Sequence, residues 1–536
     1  MSFEIRNKDL LGRIGLLRTK SGTVETPLLL PVVNPNHQLI SANDLRGSFG
    51  FDAVITNSYL VWRRFRKEQT VPKIHDLLNF DGIIATDSGA YQILRYGDVE
   101  VQPNDIIRFQ EQLESDIAVI LDIPTDQAVS RTKAKWTVEE TLRRADDALR
   151  IIQRRDILWV GPVQGGVFAD LVAESAKEMT KRSFSIHALG SPTTVMQQYH
   201  YDVLVDMIMA AKLNLPPDRP LHLFGAGHPM MFALAIALGC DIFDSASYAI
   251  FARNGRYLTA HGTAKIEDLE FFPCNCSSCH GKKPYEIRRL LPLERERFLA
   301  AHNLHVCSSE LQTAKQALTE GRLWELVESR SYSHPSLRRS FQQMLKYAKS
   351  IERETPIRKS KGPLIISYDS LRRPEILRHQ NRLITNYTIP SRAKTGILLP
   401  ERYLEPFRED PQQDRPIDKI SKRMDLHCST YGLAYGVIPE EILDVYPLSQ
   451  SENSLDPDAN TIRDSVDRIV KFLSHTNYRS CVILTEEQWQ RRLAISVQRK
   501  LRKKLKVKII EAENLDQSII TEIFSFSKPK RRKRMK

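Results

Sequence analysis

The sequence has no apolar run near the roughly 20 residues that a membrane-crossing helix needs. Its longest candidate, Met230–Cys240, is about half that length. The opening Met1–Gly15 mixes charged and apolar residues and holds no signal-peptide core. There is no P-loop, no dinucleotide-type glycine fingerprint and no internal repeat, so no nucleotide cofactor is implied. Cysteine is sparse, seven in 536 residues, and three of the seven fall within Cys274–Cys279. An odd, clustered set of this kind excludes a disulfide framework and points to a reducing compartment and a bound metal. These absences predict a cytoplasmic protein with no membrane association.

What is present is an ordinary globular composition, 41% hydrophobic and 27% charged. That excludes a mostly disordered or collagen-like chain, and 536 residues require at least two domains. The net charge of +13 is unevenly placed. Residues 491–536 hold 16 Lys/Arg against 4 Asp/Glu, which leaves 62 against 61 in the rest of the chain. The final run from Lys528 to Lys536 has no apolar face, and a helix-like basic segment, Arg491–Lys508, precedes it. Such a concentration of cations fits phosphate binding by counterion release, and so a nucleic-acid partner.

Eight short apolar runs mark candidate strands: Leu28–Val33, Ala53–Thr56, Gly82–Asp87, Ile117–Asp122, Leu158–Gln164, Ser185–Gly190, Leu221–Gly225 and Cys240–Asp244. Helical-period stretches such as Pro103–Leu113, Val138–Arg150 and Val203–Lys212 separate most of them. The alternation predicts an α/β fold, a (β/α)8 TIM barrel, with a doubly wound open sheet as the rival. Phe3–Pro27 reads as an extra hairpin ahead of it. A barrel places its active site at the C-terminal strand ends. Six consecutive ends carry polar or glycine-rich residues: Asp87, Asp122, Gln164 before Gly165-Gly166, Gly190, Gly225-Ala-Gly227, and Asp244. The expected layout is a catalytic barrel over 1–350, a linker over 351–363, a smaller C-terminal α/β accessory region over 364–510, and a basic tail over 511–536.

Cys274, Cys276 and Cys279 can wrap one Zn²⁺ in tetrahedral geometry. The fourth ligand is open between His302, His280 and Cys307, and His280 would strain the ring of ligands because it directly follows Cys279. A closed site of this type is structural, with no free position for catalysis. The strand-end aspartates suggest different chemistry. Two carboxylates about 5 Å apart can break a glycosidic bond with retention, one as nucleophile and one as acid/base. A third carboxylate can accept hydrogen bonds from a bound base or sugar. Tyr91, four residues after Asp87, offers a ring to stack on a planar ligand. For His228 a structural hydrogen bond is the expectation.

Five segments carry a family resemblance: Asp87-Ser-Gly-Ala-Tyr-Gln92, Leu121-Asp-Ile-Pro-Thr125, Val163-Gln-Gly-Gly166, His222-Leu-Phe-Gly-Ala-Gly-His-Pro-Met-Met231 and Phe243-Asp-Ser-Ala-Ser-Tyr248. With the cysteine cluster and His302-Asn-Leu304, their order over about residues 1–345 resembles the archaeal tRNA-guanine transglycosylases of the archaeosine pathway. The C-terminal region is similar to the accessory part of archaeal members, through Arg373-Pro-Glu-Ile-Leu377 and the stretch from Tyr431-Gly to Val445-Tyr-Pro.

The resemblance implies a (β/α)8 barrel with an inserted zinc subdomain, here about 270–310. It implies exchange of guanine at position 15 of the tRNA D-loop for 7-cyano-7-deazaguanine (preQ0). Cys274, Cys276, Cys279 and His302 match the zinc ligands. Asp122 and Gln164 match groups on the base edge, Tyr91 an aromatic that stacks on the base, and Gly190 and Ser191 the loop whose backbone reads the deazaguanine. Asp87 and Asp244 match the catalytic carboxylates; Asp244 is assigned as nucleophile and Asp87 as acid/base, although the reverse naming also occurs in the family. Two departures stand out. Pro192 has no N–H to donate in the base-reading loop. Only about 25 residues follow the last strand signal near Lys506–Ile510, too few for the PUA domain that often ends archaeal members. The basic tail or a separate PUA-type RNA-binding chain would fill that role. The family is commonly dimeric, so a homodimer is implied. The alternatives are a non-catalytic RNA-binding subunit on the same fold and an enzyme for another tRNA position or deazaguanine.

Overall fold

The computed structural model describes residues 2–90, 101–401, 420, 423–512 and 515–527. The chain divides into two compact units, Met1–Pro356 and Ile357–Lys536. The first opens with three antiparallel strands, β1 (Phe3–Asp9), β2 (Gly12–Thr19) and β3 (Gly22–Thr26). The expected hairpin is therefore a three-stranded meander, because the chain turns back twice, at Leu10-Leu11 and at Lys20-Ser21.

Eight parallel strands follow: β4 (Leu28–Pro31), β5 (Ala53–Asn57), β6 (Ile83–Asp87), β7 (Ile117–Val119), β8 (Leu158–Val163), β9 (Ile186–Leu189), β10 (Leu221–Leu223) and β11 (Ile242–Ser245). They neighbour one another in chain order from β5 to β11, and β11 then pairs with β4 from Leu28↔Ile242 to Pro31↔Ser245. A parallel bridge, Val32↔Ile55, joins the end of β4 to β5 and closes the ring. The fold is thus a (β/α)8 barrel, and the open-sheet rival is excluded by that closure.

Side-chain parity explains both the core and the site. In a strand alternate residues face opposite sides. Leu28, Leu30, Ala53, Ile55, Ile83, Ala85, Ile117, Val119, Leu158, Val160, Ile186, Ala188 and Ile242 form one buried cluster, the barrel interior. Phe3 and Leu17 of the meander join it. The intervening residues, such as Leu29, Val54, Ile84, Ala118, Trp159, Leu189 and Phe243, pack in a separate cluster with the surrounding helices. Continuing the interior parity to each strand end reaches Asn57, Asp87, Gln164, Gly190 and Asp244. Asn57, Asp87, Gln164 and Asp244 thus top the apolar layers with polar side chains.

After the barrel come the hairpin β12 (Arg256–Thr259) and β13 (Gly262–Lys265), the cysteine segment, and a long helix, Pro292–Glu320. A further helix, Ala348–Glu354, crosses the expected start of the linker at 351. The second unit holds a short parallel pair, β14 (Leu364–Ile365) with β18 (Glu452–Asn453). Its main sheet has five strands: β15 (Thr395–Pro400), β16 (Leu426–Gly432), β17 (Gly436–Pro439), β19 (Ser480–Thr485) and β20 (Lys506–Glu511), in the order β17-β16-β15-β19-β20. Only β17 runs antiparallel to its neighbour. The helix-like basic segment 491–508 is a helix only as far as Gln488–Leu501, and the strand signal near Lys506–Ile510 is β20. The change occurs because Val507 and Ile510 bury into the sheet and its packing outweighs helical periodicity. Part of the expected tail is also ordered: helix Gln517–Ser527 buries Ile520 and Ile523. The terminal run Lys528–Lys536 lies outside the described residues.

Candidate active site

A cleft of about 750 Å³ opens at the C-terminal end of the barrel, within the range of small-ligand sites. Asp87, Asp122, Gln164, Ser191 and Asp244 all line it. The expected site residues from four strand ends and one following loop therefore meet in one place. Tyr91 lies outside the described residues.

Asp244 ends β11. Its Oδ1 accepts from the Gly225 backbone N–H at 2.9 Å and pairs with His222 Nε2 at 2.8 Å. Oδ2 has no hydrogen-bond partner among the described residues. The parallel register makes the His222 contact: His222 stands opposite Ile242, two residues before Asp244 on the same face. Asp87 ends β6 and is braced by Asn57. The Asn57 Oδ1 caps the helix Ser58–Phe65 by accepting from Leu60 N–H at 3.0 Å, while its Nδ2 donates to Asp87 Oδ2 at 2.9 Å. Burial pushes the Asp87 carboxyl up to about 7, and the nearby charges of Asp122 and Asp244 add to the rise; the Gly89 and Ser88 backbone N–H groups oppose it. A carboxyl poised near neutrality can hold and release a proton under working conditions.

Asp122 is buried, and burial lifts it to about 6, against the stabilising hydrogen bond from the Gln164 amide and the charge of Arg144. Gln164 donates through Nε2 to Asp122 Oδ2. Its Oε1 accepts from Thr125 N–H at 3.1 Å, Thr125 Oγ1 at 3.0 Å and Ser191 Oγ at 3.1 Å. The amide orientation is thereby set by three donors to its oxygen. Gly190 is required beside it: a Cβ there would stand 2.2 Å from Gln164 Nε2. Ser191 adopts a left-handed φ of 62°, and its Oγ also accepts from Thr125 N–H at 2.7 Å. Pro192 follows at φ −79° and starts the short helix Thr193–Gln197. His228 accepts from Met230 N–H through Nδ1 at 3.3 Å, and burial lowers its ring to about 4, as befits a neutral structural imidazole.

His222, Asn57 and Thr125 are the site residues that motif reading assigned no role. For Asn57 a signal existed, since it continues the interior parity of Ala53 and Ile55. For His222 the signal was a polar residue between Leu221 and Leu223, which face the helices.

A second cluster lies in the segment after the barrel. One ligand atom from each of Cys274, Cys276, Cys279 and His302 falls within 4.8 Å of the others. Four ligands around a tetrahedral Zn²⁺ stand roughly 3.4–3.8 Å apart. His302 Nδ1 lies 3.3 Å from Cys279 Sγ and 3.6 Å from Cys276 Sγ. Its other nitrogen, Nε2, meets the Leu258 carbonyl at 2.9 Å, which directs Nδ1 at the thiols. Tyr257 stacks on the ring at 3.5 Å. The cluster can hold a metal ion, and among the described residues no fifth His, Cys or carboxylate joins it. Of the rival fourth ligands, His280 bonds Asn275 instead and Cys307 meets the Gly227 carbonyl. Asn303, the next residue in the helix, ties the segment down: its Oδ1 accepts from Leu258 N–H at 2.9 Å, and Nδ2 donates to the Tyr248 and Arg256 carbonyls, both at 3.2 Å.

The family described as TGT, queuine tRNA-ribosyltransferase, matches residues 9–336. The chain belongs to this family. Curated relatives named tRNA-guanine(15) transglycosylase match most of the chain, and three show the range. That of Sulfolobus acidocaldarius is 39% identical over 487 residues, 90% of this chain and 95% of the relative. That of Saccharolobus solfataricus is 40% identical over 494 residues, 91% and 97%. That of Aeropyrum pernix is 48% identical over 352 residues, 66% and 68%. The first two alignments run through the C-terminal unit as well as the family's barrel.

Proposed function

We propose that this chain is a pentosyl-transferring enzyme that replaces guanine at position 15 of the tRNA D-loop with preQ0, through a covalent ribosyl-enzyme intermediate, as a step in archaeosine biosynthesis. The observation that carries this is the pairing of Asp87 with Asp244 in one cleft, beside the Asp122–Gln164 pair. Asp244, held at Oδ1, attacks C1′ of the nucleotide through its other oxygen. The glycosidic C–N bond breaks, its electrons leave with guanine, and Asp87 delivers the proton. The incoming base returns a proton to Asp87 and attacks C1′, and the ester bond breaks. Two displacements restore the configuration, and one glycosidic bond replaces another, so no nucleoside triphosphate is consumed.

Asp122 and Gln164 bind the edge that guanine and preQ0 share, where an ionised carboxylate accepts the ring and exocyclic N–H groups. Gly190 and Ser191 offer the backbone that reads the deazaguanine, and Tyr91 would stack on it. The target base must leave its stack to reach the barrel mouth. Phosphate contacts from the basic C-terminus supply affinity. The terminal run or a separate PUA-type chain adds contacts to the tRNA, and the working form is a homodimer in the cytoplasm. No helix among the described residues is long and apolar enough to cross a membrane. The metal is Zn²⁺, one per chain; three thiolates and an imidazole suit it, and it organises the segment around 270–310.

Release of labelled guanine from tRNA on adding preQ0 tests the proposal, with wild type and Asp244→Ala. Release by wild type alone, mapped to position 15, is expected. No release from folded, metal-loaded wild type would favour the non-catalytic RNA-binding subunit. Release mapped elsewhere would favour an enzyme for another tRNA position. Deletion of 528–536 should weaken tRNA binding and flatten its salt dependence; an unchanged slope would remove the terminal run from the account.

A further inference from the structure

The rim of the cleft carries a group that the exchange chemistry leaves unused. Beyond β9 the chain passes Ser191 and the helix Thr193–Gln197 to reach Tyr199, just before the helix Tyr201–Lys212. Tyr199 has a φ of 59°, in the left-handed region. Bulky side chains rarely sit there, because Cβ crowds the backbone. Among the described residues five non-glycines do so: Leu10, Asn79, Glu114, Ser191 and Tyr199. Two of the five, Ser191 and Tyr199, belong to this one loop, and both line the cleft. Backbone strain of this kind persists where the surrounding structure over-determines it, and it clusters at active sites and ligand clamps.

The strained conformation holds a ring at the edge of the site. Tyr199 lines the same cleft as Asp87 and Asp244 and is 39% exposed. His334 lies against it, ring to ring, at 5.1 Å and 29°. Tyr201 packs tilted at 5.7 Å. His334 is itself fixed, because its Nδ1 accepts from Ser336 N–H at 3.1 Å and so caps the helix Pro335–Leu345. A large exposed ring, rigidly backed, is a poor choice for plain solvent contact. It is well suited to a planar partner.

The base-exchange chemistry supplies one. Drawing a nucleotide out of folded RNA leaves the adjacent base without a stacking neighbour on one side, and protein aromatics commonly take that place. We propose that Tyr199, backed by His334, is a stacking platform for the nucleobase next to the one exchanged. This rests on the base-exchange reading above. Stacking is tolerant of base identity because every base offers a π face. The phenol hydroxyl is not needed, so the ring alone should suffice.

The test uses the full chain and cognate tRNA carrying 2-aminopurine immediately 5′ or 3′ of position 15, with Tyr199→Phe, Tyr199→Ala and Tyr199→Gly. Wild type and Tyr199→Phe should quench the probe in one of the two tRNAs and share one KM for tRNA. Tyr199→Ala and Tyr199→Gly should lose the quench and raise KM for tRNA about tenfold, the equivalent of about 1.4 kcal/mol. KM for the free base should stay put. Tyr199→Gly, relieved of its strained φ, should melt no lower than wild type, which separates loss of stacking from loss of fold. Retained quenching in Tyr199→Ala, a KM within twofold of wild type, or a Tyr199→Phe variant as impaired as Tyr199→Ala would each overturn the platform. Absence of guanine release by wild type would overturn the exchange reading beneath it instead.

Discussion

Replacing Gly190 by alanine should disable base recognition without touching either carboxylate proposed to act at C1′, Asp87 or Asp244. The new Cβ would stand 2.2 Å from Gln164 Nε2 and 2.7 Å from its Cδ. Ordinary contacts require more than 3 Å, so the amide must shift by about 1 Å. Its present place is set by three donors to Oε1 and by the bond from Nε2 to Asp122. A hydrogen bond to a charged group contributes about 1.5–3 kcal/mol, and its loss leaves a buried carboxylate poorly paired. That converts to a rise of about 10- to 100-fold in KM for preQ0. The assay is steady-state incorporation of labelled base, with Gln164→Ala and the double variant alongside. Because the clash partner is gone in Gln164→Ala, adding Gly190→Ala there should cost little. A single variant within twofold of wild type, or an equal cost in both backgrounds, would refute the packing argument.

Further outcomes follow from the same geometry. The proton on Asp87 is lost as pH rises through about 7, so kcat should decline on that side; Asp122→Asn removes a like charge and should move the alkaline limb to lower pH, whereas a limb that stays or rises contradicts the coupling. Asn303→Ala abandons three buried backbone partners and should lower unfolding free energy by about 2–4 kcal/mol in denaturant titration, with a loss below about 0.5 kcal/mol contradicting the role. Metal analysis should find one zinc per chain, and chelation or Cys279→Ser should lower Tm and expose the segment around 270–310 to protease; an unchanged digestion pattern would count against a structural metal.

The barrel was legible because its strands, buried on both faces, read as apolar runs ending in polar or glycine residues at six successive positions. Asp87, Gln164 and Asp244 announced themselves by that placement. The partners that tune them did not. His222 reaches Asp244 only through the β10–β11 register, which depends on the closed ring and not on local sequence. Asn57 looks like a helix cap, and it is one, but its second bond to Asp87 crosses to the next strand. In the C-terminal unit the strand signal near Lys506–Ile510 is β20, but the helix-like charge pattern overlaps it through Lys508, and pairing with the neighbouring β19 decides where helix gives way to strand. The three cysteines were visible as a metal motif, while the orientation of His302 came from the Leu258 carbonyl, beyond the reach of spacing.

The most direct test is to identify the covalent bond. Wild-type protein incubated with tRNA, denatured and digested should yield a ribosyl-peptide whose mass maps to Asp244, formed together with free guanine. Asp244→Asn should yield neither. An adduct on Asp87, or guanine exchange that proceeds undiminished in Asp244→Asn, would contradict the account.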